Sequence, residues 1–234
     1  MAKVLMVVSA ADSLTLADGT QHPTGFWAEE LAVSHQVLRD AGMEVSFATP
    51  RGTAPTVDPI SLDARGGVEP GDADRFRALL AGLTEELAHP LALSAVDVAD
   101  YDAVYVPGGH APMADLATDP DLGRLLREAD AQGKVIAVLC HGPAALLSTT
   151  QTDGGFAFAG RRLTTFTDTE EREGGVGENT PYFVESRLRE LGAIVETGAP
   201  WTSKVVVDGT LISGQNPQSS DATARAVLTA LAAS

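Results

Sequence analysis

The sequence of 234 residues is poor in cysteine, in basic side chains and in long apolar runs. The single cysteine, Cys140, excludes an internal disulfide, which agrees with a reducing compartment. Lys and Arg number 16 against 32 Asp and Glu, a formal net charge of −16. This charge disfavours nucleic acid and anionic membranes as partners, because phosphate binding needs clustered cations. No apolar run approaches the length that spans a bilayer, so no membrane segment is predicted.

The amino-terminal apolar run, residues 4–8, is too short for a secretory signal and is broken soon afterwards by Ala10, Ala11 and Asp12. It indicates the first strand of a cytoplasmic protein. The length is within reach of one large α/β domain with a sizeable core, which we expect to cover residues 1–234.

Strand-like and helical runs alternate along the chain, which is typical of parallel strands joined by crossover helices. The pattern predicts a three-layer α/β sandwich with a mainly parallel sheet. A stretch rich in Pro, Gly and Asp, residues 51–98, interrupts it and is predicted to be a small inserted cap with one amphipathic helix near residues 73–87. The predicted strands are 4–8, 44–48, 103–107, 135–139, 162–166, 194–197, 204–207 and 210–213; the predicted helices are 26–41, 122–131, the stretch after 140, 182–191 and 220–232.

Cys140 ends the apolar run 135–139 and is followed at once by His141, Gly142 and Pro143. A buried strand that stops at a polar nucleophile and turns through Gly and Pro predicts a nucleophile elbow. Such a turn sets the thiol near the N–H groups of a helix N-terminus, so we expect a thiol pKa well below that of free cysteine. The alternative is an inert cysteine in the core, where an isolated cysteine is usually found.

Glu30 is unusual because it lies in a stripe of helical spacing whose other members are apolar: Phe26, Val33 and Val37. Its neighbour Glu29 falls on the wet side of the same helix. A buried carboxyl tends to keep its proton, and a protonated Glu beside a thiol can act as a general acid. The alternative is a Glu at the edge of the stripe whose carboxyl reaches water.

Two glycines, Gly108 and Gly109, follow the predicted strand 103–107 and precede His110. At such a strand end they let the backbone present N–H groups to a ligand, as an oxyanion hole requires, although a plain tight turn is the alternative.

An acidic group, Asp168, Glu170 and Glu171, follows the predicted strand 162–166. A carboxylate there is in a position to orient His141, and the alternative is a solvated loop. The five histidines, at positions 22, 35, 89, 110 and 141, have no metal-ligand spacing, so no metal site is predicted.

Several motifs occur in the order of one known family: Thr24-Gly25 before Glu30, Pro107-Gly108-Gly109-His110, residues 137–143, Phe166-Thr167-Asp168 with Glu171, and residues 213–219. On these motifs, which cover nearly the whole chain, the protein resembles the DJ-1/PfpI superfamily. Within that superfamily it is most similar to the Hsp31-like branch of class I glutamine amidotransferase-like proteins. The resemblance implies a flavodoxin-like fold, a homodimer and no cofactor.

The same resemblance implies a triad of Cys140, His141 and an acid, with Glu171 slightly favoured over Asp168. Glu30 is implied as the protonated acid beside the thiol.

Further site residues follow from the same likeness. Backbone N–H groups of Gly109 and His141 are implied as the oxyanion hole, and Gly108 and His110 as residues that bind the substrate.

The activity implied is that of a glutathione-independent glyoxalase, which converts methylglyoxal to lactate, together with the deglycase activity claimed for the family. Its partner is then a small reactive dicarbonyl.

Two other functions stay open. One is a stress-response chaperone or redox sensor, in which Cys140 is oxidised to a sulfinate held by Glu30. The other is a thiol-dependent hydrolase of peptides, amides or isonitriles.

Overall fold

The computed structural model of the chain describes residues 1–233 and contains one large sheet and two small ones. The strands, in chain order, are β1 (Lys3–Val7), β2 (Ser13–Thr15), β3 (Gln21–Pro23), β4 (Glu44–Thr49), β5 (Leu91–Ala92), β6 (Ala103–Val106), β7 (Val135–Leu139), β8 (Arg162–Leu163), β9 (Ile194–Val195), β10 (Val205–Asp208) and β11 (Leu211–Gly214). The α-helices are α1 (Ala28–Asp40), α2 (Pro70–Ala81), α3 (Thr84–Ala88), α4 (Pro120–Ala131), α5 (Asp168–Gly174), α6 (Val184–Glu190) and α7 (Ser220–Ala233).

The large sheet has seven strands in the order β10-β11-β7-β6-β1-β4-β5. Each neighbouring pair in it is parallel except β10 and β11, which form an antiparallel hairpin across Asp208-Gly209. In the register, Val4 of β1 stands opposite Val45 of β4 on one side and Ala103 of β6 on the other. The predicted mainly parallel sheet is therefore confirmed.

Side chains of the central strands pack alternately on the two faces of the sheet, as the two-residue period of a strand requires. Val4 and Met6 belong to a core cluster with residues of α1 and α7, whereas Leu5 and Val7 belong to a second cluster with residues of α4. Helices thus cover both faces, which is the usual arrangement for a parallel sheet. The predicted three-layer sandwich is confirmed.

The carboxyl ends of β6, β7 and β11 lie side by side because these strands are parallel neighbours. Ligands of open α/β sheets bind at this edge. Gly108 follows β6, Cys140 follows β7 and Gln215 follows β11, so the sheet itself brings together segments that are distant in the sequence.

The interrupting segment 51–98 packs against α1 and the edge of the sheet. Phe76 of α2 is buried against Ala28 and Val33 of α1, and β5 pairs with β4. The single helix predicted near residues 73–87 is two helices, α2 and α3, because the chain leaves the helix at Gly82, whose N–H caps the last turn of α2.

Two predicted elements differ from the structure. The stretch after Cys140 is a 3-10 helix, Gly142–Thr149, rather than an α-helix. The strand predicted over 162–166 is reduced to β8, which pairs with β9 outside the large sheet. Residues 164–166 do not continue this strand, because their backbone bonds elsewhere. The N–H of Thr164 donates to Ser213 Oγ, and the N–H of Phe166 donates to the carbonyl of Cys140. Among residues 1–233, no helix is both long and apolar enough to cross a bilayer.

Candidate active site

Cys140 has a left-handed backbone with φ of 60°, a conformation that is strained for a residue with a side chain. Hydrogen bonds on both sides hold it there. Its N–H donates to the carbonyl of Gly214 at 2.9 Å, and its carbonyl accepts from the N–H of Phe166 at 2.9 Å and from Thr165 Oγ1 at 2.8 Å. This is the turn of a nucleophile elbow, and the thiol reaches the wall of a cavity.

Gly108 and Gly142 allow the elbow to pack against the end of β6. A Cβ atom on Gly142 would lie 2.3 Å from the carbonyl oxygen of Val106, and one on Gly108 would lie 2.7 Å from the backbone nitrogen of His141. Both distances are shorter than side-chain atoms tolerate, so glycine is required at each position.

His141 connects the thiol to a carboxylate. Its Nδ1 lies 3.4 Å from the sulfur of Cys140, and its Nε2 lies 2.7 Å from Oε2 of Glu171. Burial and the charge of His110 lower the pKa of His141, so the ring is neutral at neutral pH. A carboxylate only accepts hydrogen bonds, so Nε2 carries the ring proton and the lone pair of Nδ1 is left for the thiol.

His110 binds the same carboxylate from a second strand end. Its Nε2 lies 3.1 Å and 3.2 Å from the two oxygens of Glu171, and its ring centroid is 4.2 Å from that of His141. Burial opposes a charge on His110, but the hydrogen bond and the negative charge of Glu171 raise its pKa overall. Burial alone would raise the pKa of Glu171, but its hydrogen bonds with His110 and His141 hold that pKa well below its usual value.

Asp168, the second candidate for the triad acid, makes no hydrogen bond to His141 among the described residues. Its side chain accepts from the hydroxyl and the N–H of Ser186, near the start of α6. The contact expected of a triad acid is made by Glu171, one turn later on α5.

Glu170, the third acid of this group, is fully buried and has a structural position. It forms a capping box with Thr167 at the start of α5, a pattern that the spacing Thr-x-x-Glu could have revealed. Its carboxylate also accepts from Trp201 N–H at 2.8 Å, Asn216 Nδ2 at 2.8 Å and Gln215 Nε2 at 3.2 Å. It therefore joins α5 to the segments before and after the hairpin.

The predicted burial of Glu30 is confirmed, since none of the residue is exposed. Oε2 accepts a 2.7 Å hydrogen bond from the N–H of Gly108, whereas Oε1 has no hydrogen-bond partner of good geometry among residues 1–233. Burial raises the pKa of Glu30 to about 8, against the opposing interactions with the Cys140 thiol and Gly108. The carboxyl is therefore mostly protonated at neutral pH.

The expectation of a depressed thiol pKa at Cys140 is wrong for the resting site. Burial raises the pKa of the thiol well above its usual value, and the negative charges of Glu30 and Glu170 act in the same direction. The N–H of His141 lowers it by less. The sequence pattern revealed the elbow, but it revealed neither how deeply the thiol is buried nor the effect of Glu170 on the thiol pKa.

Gly109 and His141 line the cavity with Cys140, and the backbone N–H of His141 interacts with the thiol. Within the described residues, neither of their backbone N–H groups donates to a backbone carbonyl. Gly109 has φ of 91°, and a Cβ there would lie 2.3 Å from the carbonyl oxygen of Gly25, so the chain needs glycine to turn at this point.

A cavity of about 610 Å³ extends from Cys140 and His141 to the interrupting segment. Its lining includes Gly109, His110 and Phe166 at the strand ends, and residues 64–69 with Phe76 on the opposite side. Glu29 also lines it and is half-buried, contrary to the wet position predicted for it. Burial and the charge of Asp72 raise the pKa of Glu29 to about 7. The helical period alone did not reveal that segment 51–98 covers this face.

His110, His141 and Glu171 each bring one potential metal-ligand atom to within 4.8 Å of the others. The sequence spacing did not indicate this cluster because its members follow three different strands. The atoms concerned are engaged with one another in hydrogen bonds, and we treat the three residues as a hydrogen-bond network.

Comparisons with known proteins identify relatives of this chain. Residues 22–173 match a family described as ThiJ/PfpI family-like. The glutathione-independent glyoxalase hsp3101 of Schizosaccharomyces pombe is 31% identical over 235 residues, which cover 97% of this chain and 94% of that protein. The protein/nucleic acid deglycase HchA of Pseudomonas aeruginosa is 28% identical and matches over 94% of this chain and 77% of its own. The crystal structure of glyoxalase III from Candida albicans aligns with a TM-score of 0.82 at 27% identity, over 98% of this chain and 97% of that one.

Proposed function

This chain belongs to the ThiJ/PfpI-like family, and from that premise we propose that it is an enzyme, a glutathione-independent glyoxalase that converts methylglyoxal into lactate. One observation carries the proposal. His141 lies between the Cys140 sulfur, at 3.4 Å, and the Glu171 carboxylate, at 2.7 Å, on the wall of a cavity. A nucleophile, a base and a group that orients the base are the parts that covalent catalysis at a carbonyl needs.

The first step is addition of the thiol to the aldehyde carbon of methylglyoxal. As the sulfur attacks, Nδ1 of His141 takes the thiol proton, and the N–H groups of Gly109 and His141 bind the oxygen that becomes negative. The proton then passes from His141 to that oxygen, which gives a hemithioacetal. This route needs no thiolate in the resting enzyme, so it is compatible with the raised thiol pKa of Cys140.

The second step moves a proton between the two substrate carbons. Neutral His141 removes the hydrogen of the former aldehyde carbon, and an enediol forms. Return of the proton to the neighbouring carbon leaves a thioester of lactate on Cys140. Water then hydrolyses the thioester, which releases lactate and restores the thiol. The net reaction adds one water to methylglyoxal, and no oxidant or reductant is required.

Glu30 has the role of an acid in this scheme. Its carboxyl interacts with the thiol of Cys140 and is mostly protonated below pH 8, because burial raises its pKa to about 8. A neutral carboxyl donates a hydrogen bond to a substrate oxygen without adding a negative charge that would oppose the reaction.

The proposal extends to the domain organisation, assembly and location of the protein. We propose that residues 1–234 form a single domain in which segment 51–98 caps the site, since residues 64–69 and Phe76 line the cavity. We also propose that the protein acts as a homodimer in the cytoplasm. Deglycase activity, named for the relative HchA, is the second activity to be tested.

The decisive experiment measures lactate formed from methylglyoxal in the absence of glutathione. Wild-type protein is expected to form lactate, and Cys140→Ser is expected to form none above the uncatalysed rate while it keeps the wild-type circular dichroism spectrum. The exposed His89, which is not part of the cavity lining, provides a control variant, His89→Gln, with wild-type activity expected. Lactate formation by Cys140→Ser at the wild-type rate would refute the covalent mechanism.

A further inference from the structure

Two imidazole rings share one carboxylate at the end of the sheet. Nε2 of His141 and Nε2 of His110 both point to Glu171, at 2.7 Å and at 3.1 to 3.2 Å. The proposed function uses only the first ring. The second ring is 93% buried and lines the same cavity, so its role is open.

The other nitrogen of each ring is available for chemistry. Nδ1 of His141 faces the sulfur of Cys140, as described above. Nδ1 of His110 has no hydrogen-bond partner among residues 1–233, although the ring is otherwise held on Glu171 and against the ring of His141. Because His110 lines the cavity, this nitrogen is free to bind a molecule there.

The charged state of His110 follows from the groups around it. Four titratable side chains interact with this ring: His22, Asp58, His141 and Glu171. The two carboxylates favour a charge on His110, whereas His22 and His141 are neutral neighbours because burial lowers the pKa of both. The two partners of Glu171 thus differ: the carboxylates raise the pKa of His110 and favour its protonated form, whereas burial lowers the pKa of His141 and favours its neutral form.

The proposed reaction lacks a group for one substrate atom. When His141 removes the hydrogen from the former aldehyde carbon, electrons move onto the ketone oxygen, which becomes negative. The N–H groups of Gly109 and His141 bind the oxygen on the first carbon, and Glu30, which interacts with the thiol bonded to that carbon, serves the same oxygen. The ketone oxygen on the second carbon needs its own proton donor. That donor has to lie near His141, because the two carbons are bonded to each other.

We propose that His110 is a second catalytic imidazole, which in its protonated form gives a proton from Nδ1 to the ketone oxygen of the bound dicarbonyl. This inference rests on the proposed function. As His141 takes the carbon-bound hydrogen, His110 protonates the ketone oxygen, and a neutral enediol results. His141 then returns its proton to the second carbon, while the hydroxyl on the first carbon gives its proton back to His110 as the thioester carbonyl forms. Both histidines end in their starting states.

A substitution separates this role from one of positioning. His110→Gln keeps an N–H group that can reach Glu171 but cannot exchange a proton near neutral pH. If His110 only positions Glu171, this variant should keep the wild-type kcat. If His110 transfers a proton, kcat should fall by about 10²–10⁴-fold, the usual effect of losing an acid, with little change in KM.

The experiment follows lactate formation from methylglyoxal by wild type, His110→Gln, His110→Ala and the control His89→Gln. We expect added imidazole to restore part of the activity of His110→Ala, and more so at pH values where imidazole is protonated. Wild-type kcat in His110→Gln would overturn the proposal, and so would an imidazole effect that is absent or follows the neutral form. A wild type that forms no lactate would overturn the proposed function and this inference with it, and that result is distinct from loss in the variants alone.

Discussion

The backbone N–H of Gly108 donates a 2.7 Å hydrogen bond to Oε2 of Glu30 and so joins the first turn of α1 to the end of β6. The contact fixes a fully buried carboxyl next to the nucleophile. Because burial is the main influence on this carboxyl, its titration is linked to folding as well as to catalysis.

We predict that Glu30→Gln changes how stability depends on pH. The pKa of Glu30 is about 8 in the folded protein, above its ordinary value of 4.5, so the folded state holds a proton that the unfolded state loses. The contribution of Glu30 to the free energy of unfolding is therefore fully favourable below pH 4.5 and is lost as the pH rises towards 8. The variant should lack this decline and be more stable than wild type at pH 8.

Urea unfolding at several pH values between 4 and 9 tests this, with the difference between wild type and variant isolating the one group. The exposed Glu85 on α3 provides the control, since Glu85→Gln should leave the dependence unchanged. A Glu30→Gln curve parallel to that of wild type would show that folding does not raise the pKa of this carboxyl.

A second prediction concerns the two acids of α5. Glu171→Ala removes the partner of His141 and should lower kcat for methylglyoxal by about 10²–10⁴-fold, because the base loses its orientation. Asp168→Ala removes only the hydrogen bonds to Ser186 and should cost about 1 kcal/mol of stability with little effect on kcat. Steady-state kinetics and thermal unfolding of both variants separate these effects, and the reverse ranking of kcat would assign the role to Asp168.

Glu170 is predicted to be a stability residue. Its buried carboxylate accepts hydrogen bonds from Thr167, Trp201, Gln215 and Asn216. Glu170→Ala leaves the backbone N–H groups of Thr167 and Trp201 unpaired and takes one of two acceptors from each of the amides of Gln215 and Asn216. Since each buried unpaired donor costs about 1–3 kcal/mol, the variant should lose at least several kcal/mol or fail to fold.

The matched control is Glu173→Ala on the same helix, where the side chain is exposed and makes one hydrogen bond to the indole of Trp201. Glu173→Ala should lower the free energy of unfolding by no more than about 1 kcal/mol. Equal unfolding midpoints in urea for the two variants would contradict the structural role of Glu170.

The parallel sheet, the elbow at Cys140 and the burial of Glu30 were readable from the sequence because each depends on a short, periodic pattern. The alternation of apolar residues along strands and helices determines the faces of elements, and a Gly-Pro turn after an apolar run determines an elbow. The position of Glu30 in an apolar stripe needed only the helical period.

Other features depend on contacts between segments that are far apart in the sequence. The environment of Cys140 includes Glu170, and the exposure of Glu29 depends on how segment 51–98 folds over α1. The same holds for the pair of His110 and Glu171, 61 residues apart. They meet because β6 and β7 are neighbours and because the segment before α5 is hydrogen-bonded to Cys140 at the end of β7. A local pattern contains no information on such pairs, and the thiol pKa was therefore predicted in the wrong direction.

The last prediction concerns the reactivity of Cys140, which can be labelled without competition since it is the sole cysteine. Burial and the charge of Glu30 raise the pKa of its thiol, so the rate of alkylation by iodoacetamide should rise only above the ordinary cysteine range near about 8.5. Glu30 is ionised at those pH values and opposes the thiolate, so Glu30→Gln should shift the midpoint of the labelling profile to lower pH. Glu85→Gln changes an exposed residue outside the cavity lining and should leave the midpoint in place. A wild-type midpoint below the ordinary value would mean that the elbow and the N–H of His141 outweigh burial, and that the resting enzyme already holds a thiolate.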